Sequence, residues 1–85
     1  MIKIMGRVQG VSFRFYVKQK ADELRLTGFV KNNPDGSVEI IAEGLRIELE
    51  KLAEWVAKGP EFSTVDQCET AWGQNSGEFS SFEIR

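Results

Sequence analysis

The sequence of 85 residues contains no histidine and a single cysteine, Cys68. Without histidine, the chain cannot carry a Ser-His hydrolase triad or a phosphohistidine, and most zinc sites are excluded as well. One cysteine cannot form an internal disulfide, whereas a secreted domain of this size usually depends on several. We therefore expect a cytoplasmic protein whose chemistry relies on other side chains.

Long apolar runs are also missing. No segment approaches the roughly 20 consecutive apolar residues of a membrane-spanning helix, and no basic N-terminal segment leads into an apolar run. The composition, 41% hydrophobic and 28% charged, is that of an ordinary globular protein. Because a chain of this length can fill only one core, residues 1–85 are predicted to form a single domain without a membrane partner.

Charge is distributed unevenly along the chain. Residues 1–31 carry seven basic and two acidic side chains, a net charge of +5, whereas residues 32–85 carry four basic and eleven acidic ones, a net charge of −7. A small anionic ligand should therefore bind the first third of the chain. A long polyanion would be repelled by the remainder, so no nucleic-acid partner is expected.

Apolar periodicity and turn residues predict two helices and five strands. The predicted helices are Phe13 to about Leu24 and Arg46–Lys58, and the predicted strands are Ile2 to about Val8, Gly28–Asn32, Ser37–Glu43, Val65–Trp72 and Phe79–Ile84. The order is βαββαβ with a short final strand. It predicts an α+β ferredoxin-like sandwich, with both helices on one face of a mostly antiparallel sheet. Because this fold carries many functions, the function has to be inferred from a site.

The segment GRVQGVSFR, residues 6–14, connects the first strand to the first helix. Its glycines permit a tight turn whose backbone N–H groups can converge on an anion beside the helix N-terminus. Arg14 lies in the first helical turn, where a cation opposes the helix dipole, but its planar guanidinium can bind two phosphoryl oxygens. Taken alone, the glycine spacing favours an ordinary glycine turn with a surface arginine.

Three segments resemble the acylphosphatase family. Residues 6–14 match its signature Gly-x-Val-Gln-Gly-Val-x-Phe-Arg at every fixed position, and GFVKNNPDGSV, residues 28–38, matches its second signature. The closing SFEIR is similar to the last strand of the family. Together these segments cover nearly the whole chain in the family's order, so a chance match is improbable.

The resemblance implies an enzyme that hydrolyses carboxyl-phosphate anhydrides, acting as a monomer on a small-molecule acyl phosphate. It implies that Arg14 binds the phosphoryl oxygens and that Asn32 holds the attacking water. The phosphoryl group would be cradled by the backbone amides of Val8, Gln9, Gly10, Val11 and Ser12. We expect neither a covalent phosphoenzyme nor a metal or other cofactor. From the residues alone, Asn32 could equally be a turn former, as its neighbour Asn33 is expected to be.

A second hypothesis is a non-catalytic module that binds phosphate or carbamoyl phosphate. Similar domains occur at the N-terminus of larger carbamoyl-transfer proteins, where cysteine-rich zinc segments follow. Because the sequence has one cysteine and ends at Arg85, we expect the free-standing enzyme instead.

Cys68 and four aromatic residues are further candidates for a functional role. Cys68 has no neighbouring base and is predicted to be a core or half-buried thiol rather than a nucleophile. The aromatic residues later in the chain are predicted to pack in the core or at the sheet edge rather than to stack on bases. These residues are Trp55, Trp72, Phe79 and Phe82.

Overall fold

The computed structural model describes residues 1–10, 12–61 and 63–85. Its elements, in chain order, are β1 (Ile2–Arg7), α1 (Phe13–Glu23), β2 (Thr27–Asn32), β3 (Val38–Glu43), α2 (Arg46–Lys58), β4 (Thr64–Thr70) and β5 (Phe82–Ile84). The strands form one sheet in the order β4-β1-β3-β2-β5. The ferredoxin-like α+β sandwich predicted from the sequence is confirmed.

The directions of the strands determine which strand ends lie beside one another. Strand β1 pairs antiparallel with β3, β3 pairs antiparallel with β2, and β2 pairs parallel with β5. Strands β1, β2 and β5 therefore run in the same direction, and their C-terminal ends lie at one edge of the sheet. Helix α1 begins six residues after β1 ends, so the sheet edge also receives the N-terminus of this helix.

The core lies between the helices and one face of the sheet. Helix α1 buries Phe13, Val17 and Ala21 at helical spacing, and α2 buries Leu52 and Val56. Full burial of a side chain the size of valine, leucine or phenylalanine contributes about 1.5–3 kcal/mol. These two apolar stripes fix both helices on the sheet and so fix the position of the start of α1.

The opposite face of the sheet alternates in charge. Across neighbouring strands, Lys3 lies opposite both Glu69 and Glu39, and Glu39 lies opposite Lys31. Opposite charges at directly facing positions stabilise strand pairing. This face therefore presents acidic and basic groups in turn, unlike the basic surface that binds a phosphate backbone.

Gly28 allows β2 and β3 to approach closely. Its φ of +135° is unfavourable for other residues, and a Cβ at this position would overlap the backbone carbonyl oxygen of Ile41. The glycine that opens the second family signature is thus required by the packing of β2 against β3, which places Asn32 at the end of β2.

Two strand predictions differ from the structure by more than one residue. Strand β5 begins at Phe82 rather than Phe79, because its neighbour β2 begins at Thr27 and their pairing starts with Gly28 opposite Phe82. The Phe79 ring lies outside the strand and packs edge-on against Phe29, with 5.9 Å between the centroids. Strand β4 ends at Thr70, and Trp72 lies outside it with the Arg46 guanidinium 3.7 Å from its ring centroid.

The predicted half-buried position of Cys68 is confirmed. The thiol is half-buried and packs against the core, and this burial raises its pKa. A raised pKa disfavours the thiolate, which is the nucleophilic form. In the part of the chain that the structure describes, neither helix has the length and apolar character needed to cross a membrane.

Candidate active site

A cavity of about 350 Å³ opens at the sheet edge where β1, β2 and β5 end. Its walls come from the loop after β1, the first turn of α1, and the ends of β2 and β5. The lining residues are Val8, Gly10, Ser12, Phe13, Arg14, Phe15, Asn32 and Ile84. Both residues predicted to be catalytic, Arg14 and Asn32, therefore border one cavity although 18 positions separate them in the sequence.

The residues of the predicted phosphate loop divide into three groups. Val8, Gly10 and Ser12 line the cavity. Gln9 is not among the lining residues, and its side chain is directed to the β2–β3 turn. Val11 lies outside the described residues.

The loop backbone has two residues in the left-handed region. Gly10 has φ 75° and Ser12 has φ 61°. For serine this conformation costs about 1–3 kcal/mol, and such strained residues cluster at functional sites. Among the described residues, the N–H groups of Val8, Gln9, Gly10 and Ser12 donate to no other backbone group. Within the described residues, these donors are therefore not used in backbone pairing.

Helix α1 begins without compensation of its positive end. Its N-cap residue, Ser12, makes no side-chain capping hydrogen bond, and its first turn contains no acidic residue. The first N–H groups of a helix have no partner within the helix, and the helix dipole places partial positive charge there. Because this end of α1 borders the cavity, it favours an anion at that position.

Arg14 is held in the cavity wall by the backbone of Arg85, the residue after β5. Its Nη1 donates a hydrogen bond of 2.9 Å to the carbonyl oxygen of Arg85. The N–H of Arg85 in turn donates to the carbonyl of Val30, continuing the pairing of β5 with β2. A guanidinium has five N–H donors, so this contact fixes its orientation and leaves other donors for a ligand.

Asn32 and Asn33 are adjacent but have different environments. Asn33 makes the turn contacts: its N–H donates to the carbonyl of Ser37 at 2.8 Å, and its side-chain Nδ2 donates to Ser37 Oγ at 3.1 Å. The Oδ1 of Asn32 is buried and accepts no hydrogen bond among the described residues. Asn32 therefore does not serve the turn through this oxygen, and leaving a buried acceptor without a donor costs about 1–3 kcal/mol.

The side chain of Gln9 ties the loop to the hairpin turn. Its Nε2 donates to the carbonyl oxygens of Asn33 and Ser37, both at 2.9 Å. These contacts join the segment that precedes Arg14 to the segment that follows Asn32. They fix the separation of the two sides of the cavity. The sequence predicted a role for the backbone amide of Gln9 but not for its side chain.

The turn after Asn32 is stabilised by a carboxylate. Asp35 accepts hydrogen bonds from the hydroxyl and the N–H of Ser37, at 2.6 and 2.9 Å, and forms an ion pair with Lys3 at 3.2 Å. The hydrogen bonds from Ser37, followed by the interaction with Lys3, lower the pKa of Asp35 from 3.8 to about 2. The charged form is favoured in the folded state, so the turn is most stable when Asp35 is ionised.

This shift predicts a pH-dependent effect of Asp35→Asn. A lowered folded-state pKa contributes stability that is present above pH 3.8 and is lost as the pH falls towards about 2. We expect the substitution to lower the urea midpoint at neutral pH and the difference from the parent protein to shrink towards pH 2. Urea unfolding followed by tryptophan fluorescence at both pH values tests this. A difference that is the same at both would contradict it.

Arg14 supplies the charge of the cavity. Among the described lining residues it alone has an ionisable side chain, so the side-chain charge of the described lining is positive. Within residues 1–10, 12–61 and 63–85, no three or more carboxylates or thiols are grouped so that they could hold a metal ion.

The described residues form a ferredoxin-like α+β fold. Its cavity combines one arginine with a helix start that has no side-chain cap. The chain belongs to the acylphosphatase family, because residues 1–84 match the family described as Acylphosphatase. It is 48% identical over 84 residues to an acylphosphatase of Acaryochloris marina, a match that covers 95% of this chain and 86% of that protein. The crystal structure of acylphosphatase from Bacillus subtilis superposes with a TM-score of 0.94 at 40% identity, covering 99% of this chain and 93% of that one.

The same fold also occurs within a larger protein. Full-length HypF, in a phosphate- and nucleotide-bound crystal structure, matches with a TM-score of 0.88 and 32% identity, covering 99% of this chain but 11% of that one. The acylphosphatases above are matched over most of their own length. The comparisons therefore favour an acylphosphatase over a non-catalytic binding module.

Two contributors from the C-terminal segment were not predicted from the sequence. Ile84 and the carbonyl of Arg85 reach the site only because β5 pairs parallel with β2. No local sequence pattern predicts the pairing of these two strands. The resemblance of the closing SFEIR to the family's last strand was the one available signal, but it carried no functional role.

Proposed function

We propose that this acylphosphatase-family enzyme hydrolyses acyl phosphates to a carboxylate and inorganic phosphate through the cavity that Arg14 and Asn32 share. The observation that carries the proposal is the convergence of one guanidinium, an uncapped helix start and an amide side chain at one sheet edge. Each supplies something that displacement at phosphorus requires: charge stabilisation, backbone donors and a position for water.

Arg14 and the loop amides bind the phosphoryl group in this proposal. With one Nη held by Arg85, the remaining guanidinium donors can contact two phosphoryl oxygens. The N–H groups of Val8, Gln9, Gly10, Val11 and Ser12 are assigned to the same oxygens. Four of the five donate to no other backbone group among the described residues, which supports this assignment. Charge spread over the phosphoryl oxygens in a loose transition state is stabilised by such fixed donors.

Asn32 is assigned to the attacking water. A buried acceptor without a donor is costly, and a water molecule that donates to it would satisfy the amide while placing its own oxygen near phosphorus. The water forms the new P–O bond as the bond from phosphorus to the acyl oxygen breaks. An amide is too weak a base to take the proton, which passes to a substrate oxygen.

The leaving group explains why the site needs no acid. A carboxylate is weakly basic and departs without being protonated first. The sequence contains no histidine, and the described part of the cavity wall contains no side chain that would act as a general acid near neutral pH. This site therefore suits acyl phosphates better than phosphate esters, whose alkoxide leaving groups require protonation.

We further propose that the enzyme acts as a cytosolic monomer. All the groups assigned to the reaction come from one chain, so a second subunit is not required to complete the site. A single half-buried thiol is compatible with a reducing compartment.

Phosphate release from benzoyl phosphate, compared with p-nitrophenyl phosphate, tests the proposed activity. We expect rapid release from the anhydride and little from the ester, because the ester has the more basic leaving group. Similar rates on the two substrates would indicate a different class of phosphatase.

A further inference from the structure

Two apolar side chains with substantial exposure to solvent border the cavity. Phe15 is 57% exposed and Ile84 is 41% exposed, and both line the cavity together with Arg14 and Asn32. Phe15 follows Arg14 by one residue on α1, and Ile84 lies opposite Val30 in the pairing of β5 with β2. The chain thus places apolar surface from two elements beside its phosphoryl-binding groups.

Neither Phe15 nor Ile84 belongs to the hydrophobic core. Helix α1 contributes Phe13, Val17 and Ala21 to the core, and Phe15 lies off this stripe. The Phe15 ring contacts Tyr16 edge to face, with 5.5 Å between the centroids, an arrangement that aromatic pairs favour. Exposed apolar surface beside a polar site is typical of ligand-binding grooves.

The cavity has room for more than a phosphoryl group. Its volume of about 350 Å³ lies at the lower end of the range for small-molecule sites. Arg14 carries the one ionisable side chain among its described lining residues, so apart from Arg14 the described lining offers no charged group to a second anionic or cationic substituent. An acyl group that fills this space gains most if it is apolar and large enough to contact the exposed side chains.

We propose that Phe15 and Ile84 form an acyl-binding wall that makes the enzyme prefer aromatic and other large apolar acyl phosphates to small ones. This inference rests on the proposed function, since it concerns the leaving half of the same substrate. A benzoyl group can lie against both side chains, whereas the methyl group of acetyl phosphate contacts little of either. The preference should arise from binding and therefore appear mainly in KM.

The test measures kcat/KM for benzoyl phosphate and for acetyl phosphate, and uses the ratio of the two. In the parent enzyme we expect the ratio to favour benzoyl phosphate. Phe15→Gln, which keeps the length of the side chain but not its apolar surface, should lower the ratio about tenfold, as expected for loss of one apolar contact. Phe15→Leu should retain most of the ratio, and Ile84→Ser should lower it in the same direction.

Ile47→Gln is the matched control. Ile47 is 60% exposed, comparable to Phe15, but lies on α2 and does not line the cavity. Its substitution should leave the ratio at the parent value. Competitive inhibition by inorganic phosphate, which has no acyl group, should stay near the parent value in the Phe15 variants, and thermal unfolding should show that they remain folded.

The outcomes separate the two proposals. If the parent hydrolyses both substrates and Phe15→Gln leaves the ratio unchanged, the acyl-binding wall is wrong while the proposed function stands. If the parent hydrolyses neither substrate, the proposed function fails, and the acyl-binding wall fails with it.

Discussion

Replacement of Arg14 by alanine is expected to lower kcat for benzoyl phosphate by about 100- to 1,000-fold, the range found when a preorganised charge-stabilising group is removed. The side chain borders the cavity and is oriented by its 2.9 Å hydrogen bond to the carbonyl of Arg85. Since charge spreads over the phosphoryl oxygens during transfer, the guanidinium should contribute more to the transition state than to substrate binding. Steady-state kinetics should therefore show a fall in kcat that exceeds the rise in KM.

Arg14→Lys separates charge from geometry. A lysine retains the positive charge but cannot present two parallel N–H donors, and it cannot both contact the Arg85 carbonyl and grip two phosphoryl oxygens. We expect it to recover only a small part of the lost activity. Recovery of most of it would mean that charge alone is sufficient.

Arg25→Ala is the matched control for Arg14→Ala. Arg25 is exposed and lies just beyond the C-terminal end of α1. Its replacement therefore removes an equal charge at the opposite end of the same helix. Its activity should stay close to that of the parent. A comparable loss in both variants would show that net charge, and not the position of Arg14, controls the rate. Near-parental turnover by Arg14→Ala would remove Arg14 from the mechanism altogether.

The helices could be predicted closely because their determinants are local. Helix α2 runs from Arg46 to Lys58 as predicted, since the apolar residues Leu49, Leu52 and Val56 repeat at helical spacing and Gly59 ends the helix. The ends of β4 and β5 were predicted less well. Their limits depend on where neighbouring strands supply hydrogen bonds, which is a long-range property that periodicity does not contain.

The candidate site shows the same division between local and long-range information. The sequence indicated a glycine-containing loop followed by Arg14, and the family signatures singled out Asn32 from Asn33. It did not indicate that Gln9 anchors the loop through its side chain, or that the Arg85 carbonyl holds Arg14. Those contacts span 24 and 71 positions along the chain, and they exist only because β1, β2 and β5 end at one edge of the sheet.

Replacement of Asn32 by alanine is expected to lower kcat by about 100-fold, because loss of the group that positions a nucleophile has effects of this order. KM should change little, since Arg14 and the loop amides remain to bind the phosphoryl group. Inorganic phosphate should likewise inhibit the variant about as well as it inhibits the parent. Loss of the Asn32 Oδ1 should not lower the stability of the protein, because this buried oxygen accepts no hydrogen bond among the described residues.

Asn33→Ala is the control that the chain itself offers, as it changes the same residue type one position away. Asn33 donates to Ser37 and to Glu39 through its side chain, so its loss should lower the urea midpoint while leaving most of kcat at temperatures where the protein is folded. Replacement of Asn32 should thus lower turnover, whereas replacement of Asn33 should lower stability. If Asn32→Ala instead retains kcat and loses stability, Asn32 is a structural residue of the turn, and the water must be positioned by the loop amides or by the substrate.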